Sequence, residues 1–169
     1  MEGRGETVAR VVVIGYGNPH RQDDRAGHVV AEAVREWARQ AGRADVRVLT
    51  ACQLDVDMVE EISSAAEVYF CDTHVVTFSE DVAITPVDVA EEGGFTTHLI
   101  TPGGLLGLCG KLYQRQPRGV IVSVPGERFD MGDEMSARTA AKVAEAAAWV
   151  IGALGGDRPE GSFAIDKKC

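Results

Sequence analysis

Along this chain the apolar positions fall in blocks that switch between a near-continuous or two-residue pattern and a 3.6-residue pattern. Val8 to Gly15 is an almost unbroken apolar run closed by glycine, which reads as a buried first strand. From Asp24 to Ala41, Val29, Val30, Ala33, Val34 and Trp37 recur on one helical face, and Gly42 suits the stop. Asp45 to Thr50 alternates like a strand. Asp55 to Ala65 then reads as a helix with Val56, Met58, Val59 and Ile62 inward. Asp55 is its expected cap, and Asp57 and Glu60 suit the positive end of a helix.

Glu67 to Cys71 reads as a third strand ending directly at Asp72, and Asp81 to Val87 as a fourth. Gly93 to Gly104 is a long glycine- and threonine-rich connection, whose length and polarity suggest function. Leu105 to Arg115 reads as a helix, Gly119 to Val124 as a fifth strand, and Glu134 to Leu154 as a long alanine-rich closing helix. This organisation makes residues 1–155 a single domain and 156–169 a flexible tail. Strands alternating with helices predict an α/β fold: a three-layer αβα sandwich around a mostly parallel five-stranded sheet, of the phosphorylase/hydrolase kind. The helix-free spacing from Thr73 to Glu80 predicts a hairpin there, with one strand antiparallel.

Composition narrows the function. The net charge of −9 argues against nucleic acid and against anionic membranes, because both need a basic surface. No apolar run reaches the length needed to span a bilayer, and the first residues lack a signal-peptide core, so a cytoplasmic location is expected. Cys52, Cys71, Cys109 and Cys169 are far apart and form no C-x-x-C pair, which predicts reduced and mostly buried thiols.

Three features should meet at one edge of the sheet. Asp23 and Asp24 follow the first strand, Asp72 ends the third, and His98 lies in the loop after the fourth. Carboxylates and an imidazole are ligands that suit a divalent ion such as zinc or nickel. Each also has a plainer reading. Asp23 reads equally well as a helix cap, Asp72 as a turn former and His98 as an ordinary loop histidine. His74, two residues beyond Asp72, reads either as reaching the same pocket or as facing solvent, and His20 and His28 receive no role. Gly15-Tyr16-Gly17 begins like a dinucleotide fingerprint, but His20 occupies the third glycine position. The two glycines more simply allow a tight turn. There is no Ser-His-Asp set, no H-E-x-x-H and no aspartic-protease pair, so sequence assigns no residue to water activation.

With these residues in hand, the chain resembles the hydrogenase maturation proteases, endopeptidases that trim the C-terminus of the nickel-iron hydrogenase large subunit. The resemblance rests on Gly15-Tyr16-Gly17-Asn18, Asp23-Asp24-x-x-Gly27, Asp72 and His98, within Arg10 to Leu154. Gln53-Leu54, the stretch Pro102 to Leu108 and the turn Val124-Pro125-Gly126-Glu127 add to it. It implies that Asp24, Asp72 and His98 bind nickel already loaded into a large-subunit precursor, so that cutting waits for metal insertion. It further implies a substrate-borne nickel with no permanent cofactor, and a monomeric enzyme. Three departures stand out: Asp24 where the family often has glutamate, Thr50 to Leu54 in place of Asp-Gly-Gly-Thr, and Thr73-His74 in place of smaller residues. A non-cleaving maturation chaperone is the alternative that these departures motivate. Gly17-Asn18-Pro19 also matches peptidyl-tRNA hydrolase, but that enzyme's histidine-asparagine pair is missing and the acidic charge fits tRNA badly.

Overall fold

The structure, a computed structural model, describes residues 10–89, 95–96 and 99–156. Strand β1 (Val11–Tyr16) leads through a 3-10 turn (Gln22–Arg25) into α1 (Ala26–Gln40) and β2 (Val46–Ala51). Then come α2 (Met58–Ser63), β3 (Glu67–Val75) and β4 (Ala83–Pro86). The two-residue strands β5 (Phe95–Thr96) and β6 (Leu99–Ile100) precede α3 (Pro102–Tyr113), β7 (Arg118–Gly126) and α4 (Ala137–Gly155).

Five strands form one sheet in the order β2-β1-β3-β7-β4, parallel except for β4. The valine-rich strands explain why the sheet is buried on both faces. Val13, Tyr69, Cys71, Val122 and Val124 point to the layer of α1 and α4. Val12, Ile14, Val68 and Phe70 point to the layer of α2 and α3. The three-layer αβα sandwich expected from the alternation is therefore observed. Val12, Val13 and Ile14 are completely buried, each contributing about 1.5–3 kcal/mol on burial.

The expected hairpin between the third and fourth strands does not form. β7 lies between β3 and β4, and β4 runs antiparallel to β7. Apolar β7 takes a buried interior slot between two partner strands, while short β4, ending in Pro86, suits an edge. The closing part of the predicted glycine-rich loop is helical. Thr101 caps α3 by accepting from the Gly104 amide at 3.1 Å, and Pro102 presets the first turn. That start lies three residues before the expected Leu105, because two glycines mask the cap-and-proline signal. β5 and β6 pair antiparallel inside the same stretch.

Gly15 lies within β1 rather than in a turn. A Cβ there would sit 2.3 Å from the Gly27 carbonyl, so its role is to let α1 pack close against the strand. Cys71 and Cys109 are free and buried and Cys52 is free and exposed, while Cys169 falls outside the described residues. The expected tail beyond Gly156 falls outside them too. No helix among the described residues is long and apolar enough to cross a membrane.

Candidate functional site

The chain leaves β1 toward β2 on one side, and β3 flanks it on the other, which opens a crevice at the carboxyl ends of β1 and β3. Pairing between β1 and β3 stops at Gly15↔Cys71, whereas β3 stays paired with β7 as far as Val75↔Gly126. Asp72 is therefore not past the end of its strand, as the sequence suggests. It lies inside β3, at the first rung that β1 has abandoned.

β1 departs because Gly17 turns the chain with φ +130°, and a Cβ there would collide with the Asp24 carbonyl at 2.1 Å. His28 pins this turn, its Nε2 lying 2.8 Å from the Gly17 carbonyl. The chain then folds back so that the Asn18 amide donates to Asp24 Oδ2 at 2.9 Å. Asp24 is thus held at the mouth of the crevice, half-buried.

Asp23 goes the other way. It is completely buried, and its carboxylate accepts from the amides of Glu127 (2.8 Å), Arg128 (2.9 Å) and Ser136 (2.7 Å). The hydroxyls of Ser136 and Thr139 stand 2.9 and 3.0 Å from Oδ2. Burial alone would push this carboxyl up. The hydrogen bonds from Ser136, Glu127 and Arg128 together outweigh it and hold the group below its ordinary value. Asp23 thereby staples the β1 loop to the turn after β7 and to the cap of α4. The helix-cap reading open in the sequence does not describe it, because the carboxylate bonds distant segments rather than the start of its own helix.

Asp72 takes the Thr73 amide at 2.7 Å on Oδ1, and the Tyr16 phenol lies against its carboxylate. Burial pushes the Asp72 carboxyl up and the nearby charge of Asp24 adds to this; Thr73 and Tyr16 offset only part of it. Burial and the Asp72 charge likewise keep Tyr16 protonated well beyond its ordinary range. Asp72 thus lies near enough to Asp24 to feel its charge, and no cation of the described residues is among the groups that act on the Asp72 carboxylate. Sequence reading overlooked Tyr16, though the register carries the signal: it stands one rung beyond Gly15↔Cys71, beside Asp72.

His74 is occupied at both nitrogens. Nε2 lies 3.1 Å from the Ser79 carbonyl, which can only accept, so Nε2 carries the proton. Nδ1 then accepts from the Ser123 hydroxyl at 2.8 Å. His20 is exposed, 4.0 Å from Asp133. His98 lies outside the described residues, and among those described no group of three or more metal-ligating side chains is assembled. The structure thus brings Asp24 and Asp72 together and sets Asp23 and His74 apart. Two oxygens that repel one another at a crevice mouth are suited to sharing a divalent cation that arrives with other ligands of its own.

No family model and no curated protein matches the chain. Solved structures do. Hydrogenase maturating endopeptidase HybD from E. coli superposes with a TM-score of 0.67 at 17% identity, over 87% of this chain and 93% of that one. The fold is that of the hydrogenase maturation endopeptidases. The [NiFe] hydrogenase maturation protease HycI from Thermococcus kodakarensis KOD1 gives 0.67 at 21% identity, over 90% and 95%. Endopeptidase HycI from Escherichia coli gives 0.62 at 17%, over 94% and 99%. At these identities it is the endopeptidase fold that is shared, and the fold resemblance read from the motifs is borne out.

Proposed function

We propose that this protein is an endopeptidase that removes a C-terminal peptide from the nickel-loaded large-subunit precursor of a nickel-iron hydrogenase. The observation that carries the reading is the uncompensated pair Asp24 and Asp72 at the β1–β3 crevice of a maturation-endopeptidase fold. Nickel is part of the substrate in this reading. It arrives held by the precursor's own thiolates, and Asp24, Asp72 and His98 complete its coordination as a mixed oxygen and nitrogen set.

Bringing the metal between two carboxylates relieves their mutual repulsion, so metallated precursor is held and empty precursor is not. Anchoring the metal also fixes the chain beside it, which places the scissile carbonyl in the crevice. Thr73 and Tyr16 orient Asp72 while leaving it able to bind, the arrangement that tunes a ligating carboxylate. No resident cofactor is required, and one protomer suffices.

The test is to mix the purified protein with hydrogenase large-subunit precursors, with and without nickel, and to follow precursor mass. Loss of a C-terminal peptide only from the nickel-loaded sample is the expected result. A stable complex with no shortened product would replace this reading with that of a non-cleaving chaperone.

A further inference from the structure

Among the described residues six large apolar side chains stand in solvent, and four of them lie at the carboxyl edge of the sheet, on its loops or at the end of β3: Val56, Val75, Phe78 and Met131. Scattered exposed apolar residues need no explanation, but Phe78 is held in place from beneath. Its ring, 64% exposed, meets the His74 ring edge-on at 5.6 Å. His74 is fixed at both nitrogens, and its partner Ser123 is paired across the strands with Asp72. A line of fixed groups thus runs outward from Asp72 to an exposed aromatic. A large apolar side chain whose orientation is already set makes a good anchor for a partner.

The charge of the same edge is one-sided. The loops 17–25, 52–57, 72–82 and 127–136 carry eleven acidic residues against three arginines. Arg138 and Lys142 of α4 pair with Glu80, Glu127 and Asp81. Asp55, Asp57, Asp130 and Glu134 have no cationic partner among the described residues. At the opposite edge the turns 39–45 and 111–118 hold five cations and one acid. The carboxyl edge therefore carries a net negative charge, and this charge surrounds the crevice.

From this anchor and this field we infer that the carboxyl edge docks the precursor's C-terminal extension, and that this extension is a cationic segment carrying apolar side chains. The inference rests on the processing function proposed above and adds the chemistry of the segment to be removed. Val75 and Phe78 take its apolar side chains, and the unpaired acids take its charges.

Fluorescence anisotropy tests this without any cleavage. The probe is a short labelled peptide of lysines interspersed with valine and phenylalanine. One control has glutamate for each lysine, and another has serine for each apolar residue. The lysine peptide is expected to bind at least about tenfold more tightly than either control, and to weaken as salt is raised. Phe78→Ala is expected to weaken it several-fold, while Leu112→Ala at the far edge leaves it unchanged. Equal binding of the lysine and glutamate peptides, or indifference to Phe78→Ala, overturns the inference.

A second arm uses nickel-loaded precursor whose extension has its charges reversed. KM is expected to rise with kcat unchanged, because docking is made equally in ground and transition states, and an unchanged KM also overturns the inference. If the unaltered precursor is never cut while the lysine peptide keeps its preference, the processing function falls and the cationic-peptide surface stands.

Discussion

Asp23 and Asp24 are adjacent in sequence and opposite in surroundings. Asp23 is sealed from water, yet its carboxylate is saturated by three amides and two hydroxyls, and it holds its charge readily. Asp24 is closer to solvent but receives one amide, from Asn18, and it stands against a second carboxylate, Asp72, whose charge is disfavoured. Burial depth alone would rank the two sites the wrong way round. Hydrogen-bond saturation separates an acid that builds the fold from a pair left short of positive charge. The second kind of site pays in stability for something it has yet to bind.

Emptying the saturated site should have the largest effect. Asp23→Ala leaves the amides of Glu127, Arg128 and Ser136 unpartnered in the interior and unlatches the β1 loop from α4. A loss of about 3–5 kcal/mol in urea unfolding is expected, the scale for stripping one partner from a buried charged network. Asp23→Asn should recover only part of this, because its amide presents donors to donors. A loss under about 1 kcal/mol would show that water replaces the carboxylate and that the staple is not structural.

The unsaturated pair should respond in activity. Asp24→Asn and Asp72→Asn keep shape but remove the charge that holds a metal, so nickel-dependent processing should fall by about 100-fold or more, roughly 2.7 kcal/mol in the barrier. His98→Ala carries the same expectation. Asp24→Glu should process within about tenfold of the parent, since the carboxylate is kept and only its reach changes. Circular dichroism should be unchanged in all four. Full activity in Asp72→Asn would remove this residue from the site.

The architecture was legible because it follows from periodicity: the valine runs of β1 and β7 and the stripe of α1 each match a buried face of the structure. The neighbouring placement of Asp24 and Asp72 was legible too, because parallel strands deliver their following loops to one edge. Three things were hidden, each for a non-local reason. The strand order placed β7 between β3 and β4, and no pattern within Thr73 to Glu80 encodes a strand that begins only at Arg118. The caging of Asp23 depends on amides more than a hundred positions away. The partnership of Tyr16 with Asp72 needs the β1–β3 register, which only the folded sheet supplies.

The smallest expected effect separates the two acids most sharply, because it differs in sign. The Asp72 carboxyl is raised by burial and by Asp24, so the folded protein holds that proton more tightly than the unfolded chain does. Ionising it costs the folded state: the penalty is absent below the ordinary aspartate value near pH 4 and develops as pH rises through the raised value. Asp72→Asn should therefore be more stable than the parent at neutral pH, by about 0.5–1 kcal/mol as for one modest substitution. That gain should vanish in acid. The Asp23 carboxyl is lowered, so its contribution is present above the ordinary value and is lost as pH falls through the lowered one. Asp23→Asn should accordingly be less stable at neutral pH and approach the parent in acid. Unfolding both variants across this range should give curves that leave the parent in opposite directions and converge on it at low pH. If Asp72→Asn is instead the less stable variant at neutral pH, the Thr73 and Tyr16 contacts outweigh burial and repulsion, and Asp72 belongs with Asp23 as a structural acid.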